Sequence, residues 1–417
     1  MAAPATPDAS SVDDSLTIPA VVTTPVAPSV EEAVYLATRS TPPWLRFVGW
    51  LGVVGLVYAL ITSVSLISTG FRGLTGDEAR SLFDFAHNPW VGLFVGVLVT
   101  VLIQSSTATT TMAVAAVGTG TLTLSSAIPI IMGANVGTTV TTTLIALGYI
   151  RNRDEYQRAL AASSVHDFYN WLALLIFFPL ELMFQPLERA STWLSEAMYD
   201  VAWLPDPANF DFMRAITRPV VNWVSGGMNS ISSDAGPVLS IVIGAIAILL
   251  VVKYLGKLLK LLLVGRARSV LTRAAGGNHY AAIGTGLGVT FITQSSTITA
   301  SVLVPFAGAG LLTTKQLYPV TVGANIGTTF TALFAAFTLD GPLALLGLQA
   351  AFVHLIYNLA SLLLIYVVPV LRPIPLFLSE WLARVAADRK WVIAVYLIGF
   401  FIVLPLGVIL PVALTGG

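Results

Sequence analysis

The sequence predicts an all-α polytopic membrane protein with two inverted-topology repeats, each holding a re-entrant hairpin and a broken transmembrane helix. Hydrophobic residues fill 56% of the 417 positions and charged residues only 10%. The mean hydropathy of +0.83 lies outside the range of soluble domains. Several apolar runs reach the roughly 18 residues that a helix needs to cross a bilayer, and none shows the alternation of a membrane-barrel strand.

An internal repeat is the second observation behind this fold class. Residues 104–139 recur at 294–329, and 17 of the 36 aligned positions are identical. Each copy begins with Gln-Ser-Ser-Thr and ends with Gly-Ala-Asn-Val-Gly-Thr-Thr or Gly-Ala-Asn-Ile-Gly-Thr-Thr. An unsatisfied polar group costs several kcal/mol inside a bilayer, so these hydroxyl and amide groups must have partners.

The glycines near the end of each copy predict breaks in two membrane helices. Glycine costs roughly 1 kcal/mol relative to alanine inside a helix, which makes the stretch from Gly133 to Gly137 and its repeat mate poor helix interior. Paired broken helices in corresponding positions of two halves are typical of the substrate site of a secondary transporter.

The first half opens with residues 1–43, a predicted disordered tail rich in Pro, Thr, Ser and Ala. A surface helix is expected over 76–88 from the spacing of its apolar residues. Residues 90–103 are apolar but too short to cross, and the Gln104 cluster follows at once, which predicts a re-entrant hairpin. The first transmembrane repeat, residues 44–180, has predicted spans at 44–68, 124–150 and 159–180.

The second half follows a polar and aromatic stretch at 181–235 that contains several prolines, predicted to be an extracytoplasmic connecting loop. The second repeat, residues 236–370, has predicted spans at 237–263, 317–338 and 343–368 and a hairpin at 280–309. Residues 371–417 are predicted to form a surface helix and an extra C-terminal span at 391–414.

The crossings and the charges predict how the repeats are oriented. Three crossings in the first half place the start of the second half on the opposite side, so the second repeat is inverted. With a cytoplasmic amino terminus, 16 of the 21 Lys and Arg residues fall on cytoplasmic segments and five on the other side. This distribution follows the positive-inside rule.

Four stretches carry a family resemblance: the paired Gln-Ser-Ser-Thr, GANVGTT with GANIGTT, RDEYQRALAASSVHDFYNWL from Arg153, and HLIYN at Asn358. Over about residues 90–370 the chain resembles the type II sodium-phosphate cotransporters, and on these motifs it is identified as a bacterial member. The family hallmark is a paired Gln-Ser-Ser-Ser; here the fourth positions are Thr107 and Thr297. The resemblance implies sodium-coupled, electrogenic import of inorganic phosphate by alternating access across the cell membrane, with Na⁺ as coupling ion and no cofactor.

The resemblance implies which residues bind phosphate and sodium, and the asparagines repeated at 135 and 325 add to the phosphate set. Neutral hydroxyls, amides and helix amino termini can hold a phosphate oxyanion without a fixed positive charge. The expected phosphate ligands are Gln104, Ser105, Ser106, Thr107, Gln294, Ser295, Ser296, Thr297, Asn135 and Asn325. The expected sodium ligands are Gln294, Ser295, Thr328, Thr331, Asp167, Asn170 and Thr138. Asp167 matches an aspartate of charge-moving members, whereas Asn152 and Ser163 depart from their pattern.

Other interpretations of these residues stay open at this stage. A single Ser or Thr in a membrane helix more often packs against the backbone than binds a ligand. His166 and His354 fit interhelical hydrogen bonds or proton relays. An intramembrane serine hydrolase is a remote alternative, because adjacent His166 and Asp167 point about 100° apart on a helix and no nucleophile elbow is present. Another oxyanion such as arsenate, or another coupling ion, fits the same residues.

Composition excludes some classes of site and leaves others open. The chain has no cysteine, which rules out disulfides, thiolate metal sites and a cysteine nucleophile. Positive and negative residues balance at 21 each, so net charge gives no reason to expect a nucleic-acid partner. The expected partners are therefore phosphate, sodium and the lipid bilayer.

Overall fold

The computed structural model describes residues 42–74, 83–199, 211–339 and 343–415. Within these ranges every regular element is a helix, and six helices are long and apolar enough to cross a membrane. The predicted all-α class is confirmed. The predicted tail falls almost wholly on residues 1–41, outside the described residues. Most of the predicted surface helix at 76–88 also lies outside them, and Asp84–His87 forms one turn of 3₁₀-helix.

The first half contains the predicted hairpin as two helices joined by a two-residue turn. The first arm begins at Asn88, whose side chain accepts hydrogen bonds from the backbone N–H groups of Trp90 and Val91. Pro89 fits the first turn of this helix because the N–H group that proline lacks would have no partner within the helix there. Gln104 ends this arm in a left-handed backbone conformation. The helices of this half are α1 Pro43–Gly73, α2 Pro89–Ile103, α3 Ser106–Gly118, α4 Leu124–Gly137, α5 Val140–Leu147 and α6 Arg153–Phe184.

The extracytoplasmic location predicted for residues 181–235 stays a prediction, whereas the loop conformation does not hold for the described part of this segment, which is mainly helical. It contains the amphipathic helices α7 Pro186–Tyr199 and α8 Asp211–Ile231. Both oxygens of Glu181 accept N–H groups at the start of α7, from Leu187 at 2.7 Å and Glu188 at 3.0 Å. Two of the prolines that suggested a loop are helical: Pro186 occupies a first turn, where proline is tolerated, and Pro219 lies inside α8.

The second half repeats the same order of elements. Its hairpin turn at Gln294 again has a left-handed backbone. The helices are α9 Gly236–Ala275, α10 His279–Thr293, α11 Ser296–Gly308, α12 Thr314–Ala336 and α13 Ala344–Ser361, which continues as the π-helix Leu362–Val367. The predicted span at 317–338 corresponds to α12, which is mostly buried in the protein and is not among the six apolar helices.

The carboxyl-terminal region contains one helix followed by a last candidate span, in the predicted order, and the surface location of the helix stays a prediction. Helix α14, Pro373–Asp388, packs along α6, and Arg153 Nε donates to Asp388 Oδ1 at 3.1 Å. The last candidate span consists of α15 Trp391–Ile398, the π-helix Gly399–Val403 and α16 Leu404–Thr415.

The second predicted helix break is absent from the structure, and at the first one α4 ends at Gly137 and α5 begins at Val140. Helix α12 runs without interruption through its Gly-Ala-Asn-Ile-Gly, and between α4 and α5 Thr138 and Thr139 keep right-handed helical dihedral angles. The glycines serve close packing instead. A Cβ atom on Gly133 would lie 2.0 Å from the Leu93 carbonyl oxygen, and one on Gly323 would lie 2.0 Å from that of Ile283. Small residues thus let each hairpin arm approach the following helix closely.

Each hairpin is held by helices of the other repeat. Helix α3 packs against α12 and α13, and α11 packs against α5 and α6. Arg158 on α6 donates from Nε to the carbonyl oxygen of Gly308, at the end of α11, over 2.9 Å. This packing of each hairpin against the other repeat brings the two Gln-Ser-Ser-Thr turns together.

Candidate functional site

The two repeat glutamines occupy strained, equivalent turns. Among the described residues, three that are not glycine have a positive φ: Gln104 at 53°, Gln185 at 51° and Gln294 at 52°. A non-glycine residue with positive φ is uncommon, and such strain is often found at functional sites. Two of these three residues, Gln104 and Gln294, are the first residues of the two Gln-Ser-Ser-Thr copies.

Matching hydrogen bonds fix both glutamine side chains. Gln104 Nε2 donates to the Val101 carbonyl oxygen at 2.6 Å, and its Oε1 accepts from Thr141 at 2.8 Å. Gln294 bonds in the same way to the carbonyl of Phe291 and the hydroxyl of Thr331. Each amide nitrogen keeps a second N–H that can reach a ligand.

A pair of threonines ties the two arms of each hairpin. The Oγ1 atoms of Thr100 and Thr109 lie 2.9 Å apart in the first hairpin, and those of Thr290 and Thr299 lie 2.9 Å apart in the second. All four side chains are buried. The hydroxyls therefore satisfy each other and hold the arms in a fixed relation.

The two turns line one polar cavity of about 50 Å³, which we call the central cavity. Its walls come from both halves of the chain. They consist of Gln104, Ser105, Ser106, Thr107, Thr138, Thr141, Val252, Gln294, Ser295, Ser296 and Thr297. Nine of the predicted site residues are thus brought together from positions about 190 residues apart.

The central cavity is suited to an anion although none of its described lining residues is charged. Helices α3 and α11 both begin at it, with Ser106 and Ser296 as their first residues. The first N–H groups of a helix lack intrahelical partners and carry the positive end of the helix dipole. Two such helix ends, with serine and threonine hydroxyls and two amides, provide converging donors for a tetrahedral oxyanion.

Three predicted ligands lie in a separate buried cluster rather than on the cavity wall. Asn325 Nδ2 donates to Asn170 Oδ1 at 2.7 Å, and Asn135 Nδ2 lies 3.3 Å from the same oxygen. His166 Nε2 and Asn358 join the cluster through Asn325 and Asn135. Since these amides come from α4, α6, α12 and α13, they cross-link the two repeats. The ligand roles of Asn135, Asn325 and Asn170 stay predictions.

Asp167 is fully buried in α6, also away from the cavity wall. Its Oδ2 accepts from Thr143 at 2.9 Å and from Tyr396 at 3.4 Å, and among the described residues Oδ1 accepts no hydrogen bond. A buried carboxylate with free lone pairs is expensive unless a cation or a proton joins it. The adjacent His166 bonds to Asn325 rather than to Asp167, so the pair does not form a catalytic dyad.

Of the remaining predicted sodium ligands, Thr138 lines the central cavity. Its repeat mate Thr328 is not among the lining residues and donates to the carbonyl of Ala324 in its own helix. Thr331 contacts Gln294 directly.

Sequence reasoning missed Thr141, Val252, Thr143 and Tyr396. Thr141 could have been found, because it is the repeat mate of Thr331 at the same spacing of 190. Thr143 lies on the same helix but its repeat mate is Leu333, and Val252 and Tyr396 come from helices outside the repeated stretch.

Comparison with known proteins decides the family. A profile described as Na⁺/Pi-cotransporter matches residues 59–197 and 247–366, more than half of the chain. This chain belongs to the Na⁺/Pi-cotransporter family. It is therefore a member of a transporter family rather than an enzyme family, which sets aside the hydrolase alternative. The matched ranges contain both hairpin turns and the asparagine cluster.

Relatives in the Na⁺/Pi-cotransporter family are named for sodium-dependent phosphate transport. Sodium-dependent phosphate transport protein 2B of Homo sapiens is 29% identical over 449 residues, which cover 85% of this chain and 64% of the human protein. Protein 2C of Rattus norvegicus is 32% identical over 443 residues, covering 88% of this chain and 73% of the rat protein. The chain thus spans less than two thirds of the human relative's length. No solved structure matches the chain.

Proposed function

We propose that this protein is a sodium-coupled secondary active transporter that imports inorganic phosphate by alternating access. The observation that carries the proposal is the central cavity, where two equivalent Gln-Ser-Ser-Thr turns from the two repeats face each other. Relatives named as sodium-dependent phosphate transport proteins support the choice of substrate and ion.

Neutral donors in the cavity give sodium coupling a physical reason. Phosphate carries one to two negative charges, and the described lining residues offer hydrogen bonds but no compensating side-chain charge. Sodium ions bound by hydroxyl and carbonyl oxygens would neutralise the anion during its passage. We assign this role to the predicted sodium ligands Thr138, Gln294 and Ser295, which line the cavity, together with Thr328 and Thr331 on α12.

Uptake into proteoliposomes tests the proposal. Radiolabelled phosphate should accumulate against its gradient when an inward sodium gradient is present, and not when choline replaces sodium. Liposomes without protein set the background, and unlabelled arsenate or sulfate added in excess reports which oxyanions compete. Equal uptake in sodium and choline would contradict sodium coupling, and no competition by unlabelled phosphate would contradict the substrate.

Asp167 is proposed to bind a further sodium ion and make transport electrogenic. Its free Oδ1 and the hydroxyl of Thr143 offer oxygen ligands in a buried position. Replacing Asp167 with Gly should abolish the phosphate-evoked current while uptake continues, because one positive charge fewer crosses per cycle. Moving one charge through 100 mV is worth about 2.3 kcal/mol, so uptake by the variant should also lose its voltage dependence.

Current on solid-supported membranes, with parallel uptake measurements, checks this expectation. Asp234→Gly, which removes an exposed carboxylate from the connecting segment, is the matched control and should keep its current. An unchanged current in Asp167→Gly would remove this carboxylate from charge movement.

The membrane orientation belongs to the same proposal. We place the protein in the cell membrane with a cytoplasmic amino terminus, as the distribution of Lys and Arg indicates. Phosphate then enters from the side that carries α7 and α8.

A further inference from the structure

A second polar cavity lies outside the central site. It has a volume of about 120 Å³ and is formed by the end of α1, by α8 and by Thr338, just beyond the end of α12. Two arginines, Arg72 on α1 and Arg218 on α8, line it. We call it the arginine cavity. Arg218 lies outside the two ranges that match the family profile.

The remaining walls of the arginine cavity are built from polar groups. Ser68, Thr217 and Thr338 are buried residues on three different segments, and Arg72 Nη2 donates to Ser68 Oγ at 2.7 Å. None of the described residues that line the cavity is acidic. Arg72 alone could be explained as a cation at the carboxyl end of a helix. The second arginine, brought in by another helix, and the buried hydroxyls are not explained in this way.

The position of Arg218 depends on a specific contact between α8 and α1. Tyr58 Oη donates to the carbonyl oxygen of Ile216 at 2.8 Å, two residues before Arg218. Thr217 and Val221, on the same helix, are buried. Arg218 therefore projects from a docked helix rather than from a free loop.

Helix α12 leads from the residues around Gln294 to the arginine cavity. Thr338 follows Thr331, which bonds to Gln294, by seven residues of chain that are mostly helical, about 10 Å at 1.5 Å per residue. All its walls lie on the side from which phosphate would enter under the proposed orientation.

We propose that the arginine cavity is a second anion site, which binds a phosphate group through Arg72 and Arg218 outside the central cavity. Arginine is suited to this chemistry because its planar N–H groups pair with two phosphate oxygens at once. The phosphate group can come from free inorganic phosphate or from a lipid headgroup. For free phosphate, the inference rests on the proposed function, and the site gathers substrate near the entrance.

Phosphate binding without sodium tests this site separately from transport. The purified full-length protein in detergent is titrated with radiolabelled phosphate in choline medium. Binding should weaken about tenfold or more in Arg72→Gln/Arg218→Gln, because charge-assisted hydrogen bonds are lost. It should fall less in Arg72→Lys/Arg218→Lys, which keeps the two charges but not the paired N–H groups, and should survive in Gln104→Ala. Arg189→Gln removes an exposed charge from α7 and is the matched control.

The outcomes separate the sources of the phosphate group. If phosphatidylglycerol in nanodiscs displaces labelled phosphate and phosphatidylcholine does not, the occupant is a lipid headgroup. Without displacement the occupant is free phosphate, and the double Gln variant should then raise the KM for uptake roughly tenfold at unchanged maximal rate. No sodium-free binding, or binding unaltered in the double Gln variant, overturns the proposal. Because binding is measured without transport, absent uptake would contradict the proposed function alone.

Discussion

Replacing either Gln104 or Gln294 with alanine is expected to reduce sodium-dependent phosphate uptake to the level of liposomes without protein. Each amide lines the central cavity and offers a free N–H to the anion, and each also positions a threonine of the following helix. Losing one hydrogen bond to a charged ligand costs about 1.5–3 kcal/mol, which corresponds to roughly 10- to 150-fold in affinity. Loss of the threonine contact adds to this.

Gln185→Ala is the matched control for both variants. Gln185 has the same left-handed backbone, at φ 51°, but does not line the central cavity. Alanine in a left-handed conformation introduces comparable strain at all three sites. Gln185→Ala should therefore transport at the rate of the unmodified protein. Normal uptake by Gln104→Ala or Gln294→Ala would contradict a single site built from both repeats.

Replacing Gly286 with alanine is expected to destabilise the second hairpin and abolish uptake. A Cβ atom at Gly286 would lie 2.0 Å from the carbonyl oxygen of Val320, so the α10 and α12 backbones would have to separate. We expect a loss at the upper end of the roughly 1–3 kcal/mol typical of overpacking. Since α10 carries Gln294, its displacement would also disturb the central cavity.

The same helix provides two controls for this prediction. Gly284 and Gly288 have no atom within 4 Å of an added Cβ. Alanine at these positions should preserve uptake and stabilise the helix by about 0.5–1 kcal/mol, since glycine is a poor helix former. Thermal unfolding followed by tryptophan fluorescence in detergent measures all three variants. Equal melting temperatures for Gly284→Ala and Gly286→Ala would show that this close approach is not required.

The sequence alone predicted the helical class, the hairpins and most of the cavity wall. It could do so because an internal repeat shows which polar residues occur twice, and because a polar turn after a short apolar run cannot remain in lipid. The residues at 104–107 and 294–297 needed no further information. The resemblance over residues 90–370 agrees with the family match.

Sequence reasoning failed where a residue's role depended on its neighbours in space. Glycine propensity predicted breaks around Gly133 and Gly323, whereas these glycines lie in helices and allow two backbones to approach closely. Packing thus outweighs a propensity difference of roughly 1 kcal/mol. Pro186 of the connecting segment was misleading for a similar reason, because only the helix register shows that it falls in a first turn.

The tertiary structure alone decided which polar residues share a site. The repeat gives equivalent serines, threonines and asparagines the same prior expectation of binding a ligand. The fold places Gln104 and Gln294 on one cavity but turns Asn135 and Asn325 into a cross-link with Asn170. It also brings Tyr396, from a span without a repeat mate, to Asp167. The repeat determines which residues are equivalent. What each residue contacts depends on how its helix is oriented toward its neighbours, and packing across the two repeats sets that orientation.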